Sequence, residues 1–220
     1  MKFSILLPTL GRPEGLKRAV DSIFATAEGE VEVLIGCDTD EWDDVRAAYG
    51  DICTVFVYAN GSGSSRKTFE MARWCTGDAM RIGSNDEEWI TPGWDRLLFE
   101  RWEDDPLWCL YTNDRPGKNT GGRAPCIARE WYDVAGYYPS HFHHWHADTW
   151  VTEIAERVGR LRHVPEVSIV HHHPKSRLGT GKMDDVYAKR GPKQHKLYES
   201  LADERLLLAG KLTDAVSARA

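Results

Sequence analysis

Three patterns in the amino-acid sequence predict an α/β fold in which helices flank a mostly parallel central sheet. Residues 3–7 form a continuous apolar run, which is typical of a strand covered on both faces. Residues 31–35 form a second run of this kind. Between them, apolar side chains recur at the spacing of an amphipathic helix, at Leu16, Ala19, Val20, Ile23 and Phe24. Strand, helix and strand in this order form a βαβ unit, whose right-handed crossover makes the two strands parallel.

The rest of the chain continues this alternation without an internal repeat or a sharp change of composition. We predict helices at 43–49, from Ser64 or Ser65, from Pro92 with Thr91 as its N-cap, at 129–135, from Asp148 to Gly159, and at 195–208. We predict further strands at 53–58, 79–82, 108–111 and 164–170. Residues 1–220 are therefore expected to form a single domain.

The composition is that of a globular domain with room for a sizeable core. The chain has 220 residues, of which 41% are hydrophobic and 28% charged. Its net charge of −6 argues against a protein that grips nucleic acid over its whole surface. The opening apolar run is too short for a signal-peptide core or a membrane span, and the five cysteines include no CxxC pair. We therefore expect a cytoplasmic protein without a transmembrane segment, a disulfide framework or a thiolate zinc site.

An acidic cluster directly follows the predicted strand at 79–82. It consists of Asn85, Asp86, Glu87 and Glu88. In open α/β sheets, ligands bind at the carboxyl ends of the strands, and hard oxygen ligands at that edge suit Mg²⁺ or Mn²⁺ holding a diphosphate. A solvated acidic loop is the alternative interpretation when the cluster is considered alone.

Histidines and basic residues mark two other regions of interest. His171 and His173 lie two apart at the end of a predicted strand, so they would face the same side, as two metal ligands must; a polar strand end is the alternative. Arg66 and Lys67, at the start of a predicted helix, could meet a phosphate or form a solvated surface. The strongly basic stretch at 175–196 allows the same two interpretations.

Five segments in this order resemble a family 2 glycosyltransferase of the GT-A fold, including members found in bacteriophages. They are SILLPTLGRPEGLKRAVDSI, GCDTD, TGDAMRIGSNDEEWITPGWDRLL, HWHADTWVTEIAERVGR, and VPEVSIVHHHP followed by GTGKMDDVY. The resemblance implies a single GT-A domain with a Rossmann-like sheet. Residues 1–115 would form its nucleotide-sugar-binding half, 116–190 its acceptor and metal half, and 191–220 a C-terminal helix and tail.

The resemblance implies transfer of a sugar from a nucleotide-sugar donor, usually a UDP-sugar, with Mn²⁺ or Mg²⁺. On the donor side, Pro8, Thr9 and Arg12 would line the base and ribose pocket. Asp38 would accept a hydrogen bond from the uracil imide, with Asp40 as its neighbour, and Asn85 would contact the ribose. Lys182 and Tyr187 would close over the diphosphate, with a plain surface loop as the alternative.

For the metal, the resemblance implies Asp86, with Glu87 as the alternative ligand because the expected DxD pattern is incomplete. The missing carboxylate raises the value of an imidazole from the late strand, and His171 is preferred over His173. Metal and nearby cations would offset the negative charge that builds on the departing nucleotide.

Asp148 is the expected general base, because an inverting displacement needs a carboxylate that takes the proton from the acceptor hydroxyl. Its structural alternative is an N-cap, and His146 is the competing base. His141, His143, His144 and Trp145 would shape the acceptor pocket together with His146.

Two other function classes remain open from the sequence. Seven histidines near Asp148 and Val170 could build the zinc site of a hydrolase, although no HExxH motif is present. A non-catalytic nucleotide-sugar or glycan-binding protein is the second alternative. The acceptor of a transferase could be a glycan, a small molecule or a hydroxymethylated DNA base.

Overall fold

The computed structural model describes residues 1–113, 124–172 and 194–219. Its strands are β1 (Lys2–Pro8), β2 (Glu30–Asp38), β3 (Thr54–Tyr58), β4 (Ala79–Ile82), β5 (Glu87–Trp89), β6 (Cys109–Asn113), β7 (Pro125–Ala128) and β8 (Leu161–His171). Its α-helices are α1 (Pro13–Thr26), α2 (Trp42–Tyr49), α3 (Ser64–Ala72), α4 (Trp94–Glu100), α5 (Arg129–Ala135), α6 (Ala147–Val158) and α7 (Ala202–Ser217). Residues 194–200 are also helical, and Thr39–Glu41 form a 3₁₀ turn.

The strands form one mixed, curled sheet in the order β3-β2-β1-β4-β7-β6-β8-β5. β1 to β4 and the β6–β8 pair are parallel where they meet, whereas β7 runs antiparallel to both of its neighbours. β5 pairs antiparallel with the end of β8. The α/β prediction is confirmed, and the antiparallel pairings lie in the half of the sheet beyond β4.

The sheet is covered on both faces, which explains the continuous apolar runs in its first strands. Alternate residues of β1 enter different cores: Phe3, Ile5 and Leu7 pack with α1 and α4, whereas Leu6 packs with α3, α5 and α6. All four of these side chains are completely buried. Within the described ranges, none of the helices combines the length and the apolar character that a membrane span needs.

The start of α1 brings the chain close to the acidic cluster. Arg12 is the N-cap, and Pro13 takes a first-turn position, where its missing N–H is not needed. Gly15 follows on the buried side of the helix. A Cβ at Gly15 would lie 2.1 Å from the carbonyl oxygen of Asn85, so only glycine lets α1 pack this closely on the acidic loop.

Two predicted boundaries near the acidic cluster are wrong. Residues Glu87–Trp89 form β5 rather than a loop, because β8 pairs with them, Glu87 opposite His171. The next helix begins later than predicted, at Trp94, after Gly93 in a left-handed conformation with φ of 66°. Thr91 does not cap it: the Thr91 hydroxyl accepts a hydrogen bond from the Ser168 N–H at 2.9 Å.

At the C-terminal end, the predicted single helix at 195–208 is also wrong in extent. The chain breaks at Leu201 and α7 then continues to Ser217. Its buried residues, Arg205, Ala209 and Leu212, recur at helical spacing and pack against α5 and α6. Leu206 and Leu207 are exposed instead.

Candidate active site

Asp86 and Glu87 are neighbours in the chain but face different surroundings. Both oxygens of Glu87 accept hydrogen bonds from the Arg81 guanidinium, at 2.8 and 3.1 Å, and neither side chain of this pair has significant exposure. Asp86 instead lies 3.0 Å from the Nε2 of His171. The alternative that Glu87 binds a metal is therefore not supported by the geometry, and Asp86 is the carboxylate that faces the late-strand histidine.

Three groups hold the Asp86 carboxylate in its ionised form. Burial alone opposes ionisation, but the contacts with His171, with the Ser84 hydroxyl and with Arg12 more than offset it and hold the pKa of Asp86 below its usual range. The Arg12 Nη1 lies 3.6 Å from the second carboxylate oxygen. The main chain adds a further tie, since the His172 N–H donates to the Asp86 carbonyl at 2.6 Å.

The chemistry of Asp86 and His171 fits a small divalent cation that is also held by a donor diphosphate. Such cations take one or two protein carboxylates together with substrate phosphates, so Asp86 would supply the oxygen ligand and His171 an additional nitrogen ligand. Within the described residues there is no group of three or more potential metal ligands, and Asp86 and His171 form a pair. His173, the second predicted histidine, lies outside the described residues.

The predicted base and ribose residues border the acidic loop directly. The Asn85 amide donates to the Thr9 hydroxyl at 3.0 Å, and both side chains are buried. Thr9 continues from Pro8 at the end of β1, and its N–H donates to the Gly36 carbonyl of β2 at 2.9 Å. The structure therefore brings together Pro8, Thr9, Arg12, Asn85, Asp86 and His171.

Asp38 lies deeper than the sequence interpretation requires. Its carboxylate is 1% exposed, and one oxygen lies 2.6 Å from the Lys67 ammonium. The other oxygen accepts the Gly61 N–H at 2.7 Å. A uracil imide would therefore have to share or displace these partners. Asp40, the expected neighbour of Asp38, is exposed, and its backbone N–H donates to the side chain of Asn60 at 3.2 Å.

Lys67 was not assigned to the site from the sequence, but it contacts two residues that were assigned there. Its ammonium bridges Asp38 and the Thr9 carbonyl, the latter at 2.8 Å, whereas Arg66 points to solvent and pairs with Glu70 at 3.0 Å. The helical spacing was the available signal, since Lys67 shares the buried face of α3 with Met71. Arg66 is therefore not brought to the site, and Lys182 and Tyr187 lie outside the described residues.

Asp148 lies in the first turn of α6, but it is not the N-cap, which is His146. Burial raises the pKa of Asp148, while hydrogen bonds to the Thr149 backbone and the nearby His146 oppose the shift. Burial also raises the pKa of Tyr138, and Tyr137 and Asp148 add to that shift. Arg81 and Glu87 also act on the Tyr138 hydroxyl, Arg81 lowering its pKa and Glu87 raising it.

The four histidines before Asp148 do not converge on one point. The His143 Nε2 lies 2.9 Å from the Gly61 carbonyl, and the His144 Nδ1 lies 2.8 Å from the Ser64 hydroxyl. The other two turn toward the C-terminal helices, His141 to Glu204 and His146 onto the Tyr198 ring at 4.8 Å. Burial, with His195 adding to it, lowers the pKa of His146. This arrangement does not support a histidine-based zinc centre among the described residues.

Comparison with known proteins gives matches in structure only. No protein-family model matches the chain, and no curated protein matches its sequence. Staphylococcus aureus TarS superposes with a TM-score of 0.63 at 14% identity, over 78% of this chain and 36% of TarS. A shorter TarS structure, of residues 1–349 in complex with UDP, gives a TM-score of 0.61 at 15% identity, over 77% of this chain and 60% of the other.

GalNAc-T7, solved with UDP, GalNAc and Mn²⁺, gives a TM-score of 0.63 at 14% identity, over 83% of this chain and 45% of GalNAc-T7. The chain thus spans between 36% and 60% of the length of these proteins. All of them are glycosyltransferases of one fold. The predicted architecture is therefore confirmed, and this chain has the GT-A fold of nucleotide-sugar glycosyltransferases.

Proposed function

We propose that this protein transfers a sugar from a nucleotide-sugar donor, with UDP as the nucleotide, to an acceptor hydroxyl. The observation that carries the proposal is the pairing of Asp86 with His171 at 3.0 Å, directly beside the Thr9–Asn85 contact, in a chain with the GT-A fold. Asp86 follows β4 and His171 ends β8, and the carboxyl ends of strands are where open α/β sheets bind ligands, which supports this position for a diphosphate and its cation.

Asp86 and His171 would hold Mn²⁺ or Mg²⁺, and Thr9, Arg12, Asn85 and Pro8 would bind the nucleoside. When bound, the cation supplies positive charge to the leaving diphosphate. Arg12 adds a guanidinium on the same side, since it already lies 3.6 Å from Asp86. The relatives solved with UDP and with Mn²⁺ support this donor and this metal.

Asp148 would act as the general base in an inverting displacement. Its carboxylate takes the proton of the acceptor hydroxyl as that oxygen attacks the anomeric carbon, and the nucleotide diphosphate leaves. A raised pKa suits this role, because a base works best when its pKa lies nearer to the working pH. His146 is a weaker candidate, since its ring stacks on Tyr198.

We assign donor binding to residues 1–115 and acceptor binding to 116–190, followed by a C-terminal helical region at 191–220. The acceptor is a glycan, a small molecule or a modified DNA base. Five buried free cysteines, among them Cys37 and Cys126, favour a reducing compartment such as the cytoplasm.

Thermal unfolding with UDP and Mn²⁺ tests the proposal. UDP with Mn²⁺ should raise the Tm of the wild type, and Asp86→Asn should abolish this shift. Glu88→Gln is the matched control, because Glu88 lies two residues further along the chain, in β5, and pairs with His172 at 2.8 Å. The control should keep the shift. Stabilisation by Zn²⁺ alone, without any effect of UDP, would favour the hydrolase and contradict the proposal.

A further inference from the structure

The side chain of Gln194 binds three consecutive backbone N–H groups in the histidine-rich segment before α6. Its Oε1 accepts hydrogen bonds from three consecutive N–H groups, those of His143, His144 and Trp145, at 2.9, 3.0 and 3.1 Å. Successive N–H groups that converge in this way form a concave nest, which needs an electronegative atom at its centre. Gln194 is buried, with 7% exposure, and its side-chain oxygen fills the position that a water molecule would otherwise have to occupy.

The same loop is held from its opposite side by the start of α3. The Ser65 N–H donates to the His143 carbonyl at 3.3 Å, and the Ser64 hydroxyl contacts His144 at 2.8 Å. At Gly63, an added Cβ would lie 2.3 Å from the His143 carbonyl oxygen, so the two segments are packed backbone to backbone. Residues 143–145 are therefore clamped between the 61–65 loop and Gln194.

This clamp determines how the chain enters α6. The next residue, His146, is the non-glycine residue with positive φ, 70°, among the described residues. Its carbonyl accepts the Trp150 N–H at 2.8 Å, which starts the helix that carries Asp148. A left-handed histidine is a strained conformation that persists only when its surroundings fix it, and the amides just before it are fixed by Gln194.

The clamp also connects the loop to the donor side of the molecule. Gly61 uses both of its backbone groups: its N–H donates to Asp38 at 2.7 Å, and its carbonyl lies 2.9 Å from the His143 Nε2. Three hydrogen bonds thus join Asp38 to Gln194 through Gly61 and His143. Gln194 is therefore linked to Asp38 indirectly, through two intervening residues.

We propose that Gln194 is a positioning residue for Asp148. Its side-chain carbonyl fixes residues 143–145, and thereby the strained conformation of His146, two residues before Asp148. The inference rests on the proposed function, because it needs Asp148 to act in the reaction. Gln194 touches none of the residues assigned to the nucleotide or the metal, so it should influence turnover rather than donor affinity.

Two substitutions separate the role of the oxygen from that of the side-chain volume. Gln194→Leu keeps the volume but removes the acceptor, whereas Gln194→Glu keeps an acceptor oxygen. Three measurements apply to both: exchange of the amides at 143–145 without ligand, the Kd for UDP with Mn²⁺, and kcat for hydrolysis of a UDP-sugar. Hydrolysis is chosen because it needs no identified acceptor.

For Q194L we expect amide exchange at 143–145 to accelerate about tenfold and hydrolysis kcat to fall about tenfold, with the Kd for UDP unchanged. Q194E should match the wild type in all three, since an anionic acceptor also satisfies the nest. If Q194L does not fold, Gln194→Asn gives the same test, because it retracts the same amide by one methylene.

Two results would overturn the proposal. Unchanged exchange at 143–145 in Q194L would show that the oxygen does not hold the loop. Faster exchange with unchanged kcat would show that the contact is purely structural. A wild type that neither binds UDP nor hydrolyses UDP-sugars would instead overturn the proposed function, while the exchange data would still report on the loop.

Discussion

Glu87 and Asp86 are consecutive in the acidic cluster, but Glu87 lies in a closed environment and Asp86 in an open one. Glu87 is enclosed with Arg81, and their side chains are 3% and 0% exposed. Asp86 is held by His171 and Arg12, whose side chains are 22% and 38% exposed. The Arg81–Glu87 pair is buried on both sides, so a ligand has no access to it. The partners of Asp86, in contrast, are partly exposed to water.

This difference teaches that acidity alone does not mark a metal ligand. The closed pair fixes the loop, because Arg81 also donates to the Ile82 carbonyl and its guanidinium lies 4.8 Å from the Trp89 ring. Asp86, which faces His171, is therefore attached to a rigid part of the chain. A functional site needs both parts, since a ligand-binding carboxylate is useful only where its supporting shell holds it in place.

The strongest test of this comparison is the stability of two alanine variants. Glu87→Ala leaves the Arg81 charge buried without its partner, so we expect it to reduce the free energy of unfolding by about 3–5 kcal/mol. Asp86→Ala should cost only about 1–2 kcal/mol, because its neighbours remain partly solvated. Urea denaturation measures both. Equal losses in the two variants would contradict the division into closed and open regions.

Asp148→Asn tests whether the Asp148 carboxylate, which lies outside the acidic cluster, acts as a general base. We expect kcat for sugar transfer or donor hydrolysis to fall by about 10²- to 10⁴-fold, which is the usual contribution of a general base. The Kd for UDP with Mn²⁺ should not change, because Asp148 is not among the residues assigned to the nucleotide or the metal. Steady-state kinetics and calorimetry measure the two quantities. Unchanged turnover would remove Asp148 from the mechanism.

A glycine substitution tests how tightly the acidic loop is supported. Gly15→Ala places a methyl group 2.1 Å from the Asn85 carbonyl, so the loop or α1 must move. We expect a loss of about 1–3 kcal/mol and weaker UDP binding. Gly210→Ala is the matched control: this helical glycine has open space around it, and alanine there should stabilise by about 0.5–1 kcal/mol. Thermal unfolding compares the two.

The pH dependence of stability gives the smallest expected effect. Because burial raises the pKa of Asp148 in the folded state, the folded chain holds this proton more tightly than the unfolded chain does. The stability that the protonated group provides is complete below its unfolded pKa, near pH 4, and is lost as the pH rises through the folded pKa. Asp148→Asn should therefore be equal to the wild type near pH 4 and more stable at pH 7. Urea denaturation at both values checks the sign.

Local patterns were sufficient to predict the β1–α1–β2 unit and the position of Asp86. Apolar runs and helical spacing are properties of a few neighbouring residues, and so is the acidic cluster at a strand end. β5 was not predictable in this way, because two of its three residues are acidic and only its pairing with β8 makes it a strand. The choice between Asp86 and Glu87 also depended on which carboxylate pairs with Arg81 and which one lies beside His171, 85 positions away.

Other parts of the site depended on contacts that no short window of sequence contains. The turn at His146 is held by Gln194, and the buried position of Lys67 depends on Asp38 and Thr9. Each of these pairs joins segments from different parts of the chain. The residue types suggested chemistry at these positions, but the partners that decide their roles come only with the folded sheet.

The separation of Asp86 and His171 by 85 positions has a consequence for how the protein matures. A nascent chain that has emerged only as far as β7 already carries the carboxylate, yet its imidazole is still unsynthesised. If Asp86 and His171 bind a cation as proposed, cation capture would therefore report that β8 has paired with β5, and it would link these two neighbouring strands.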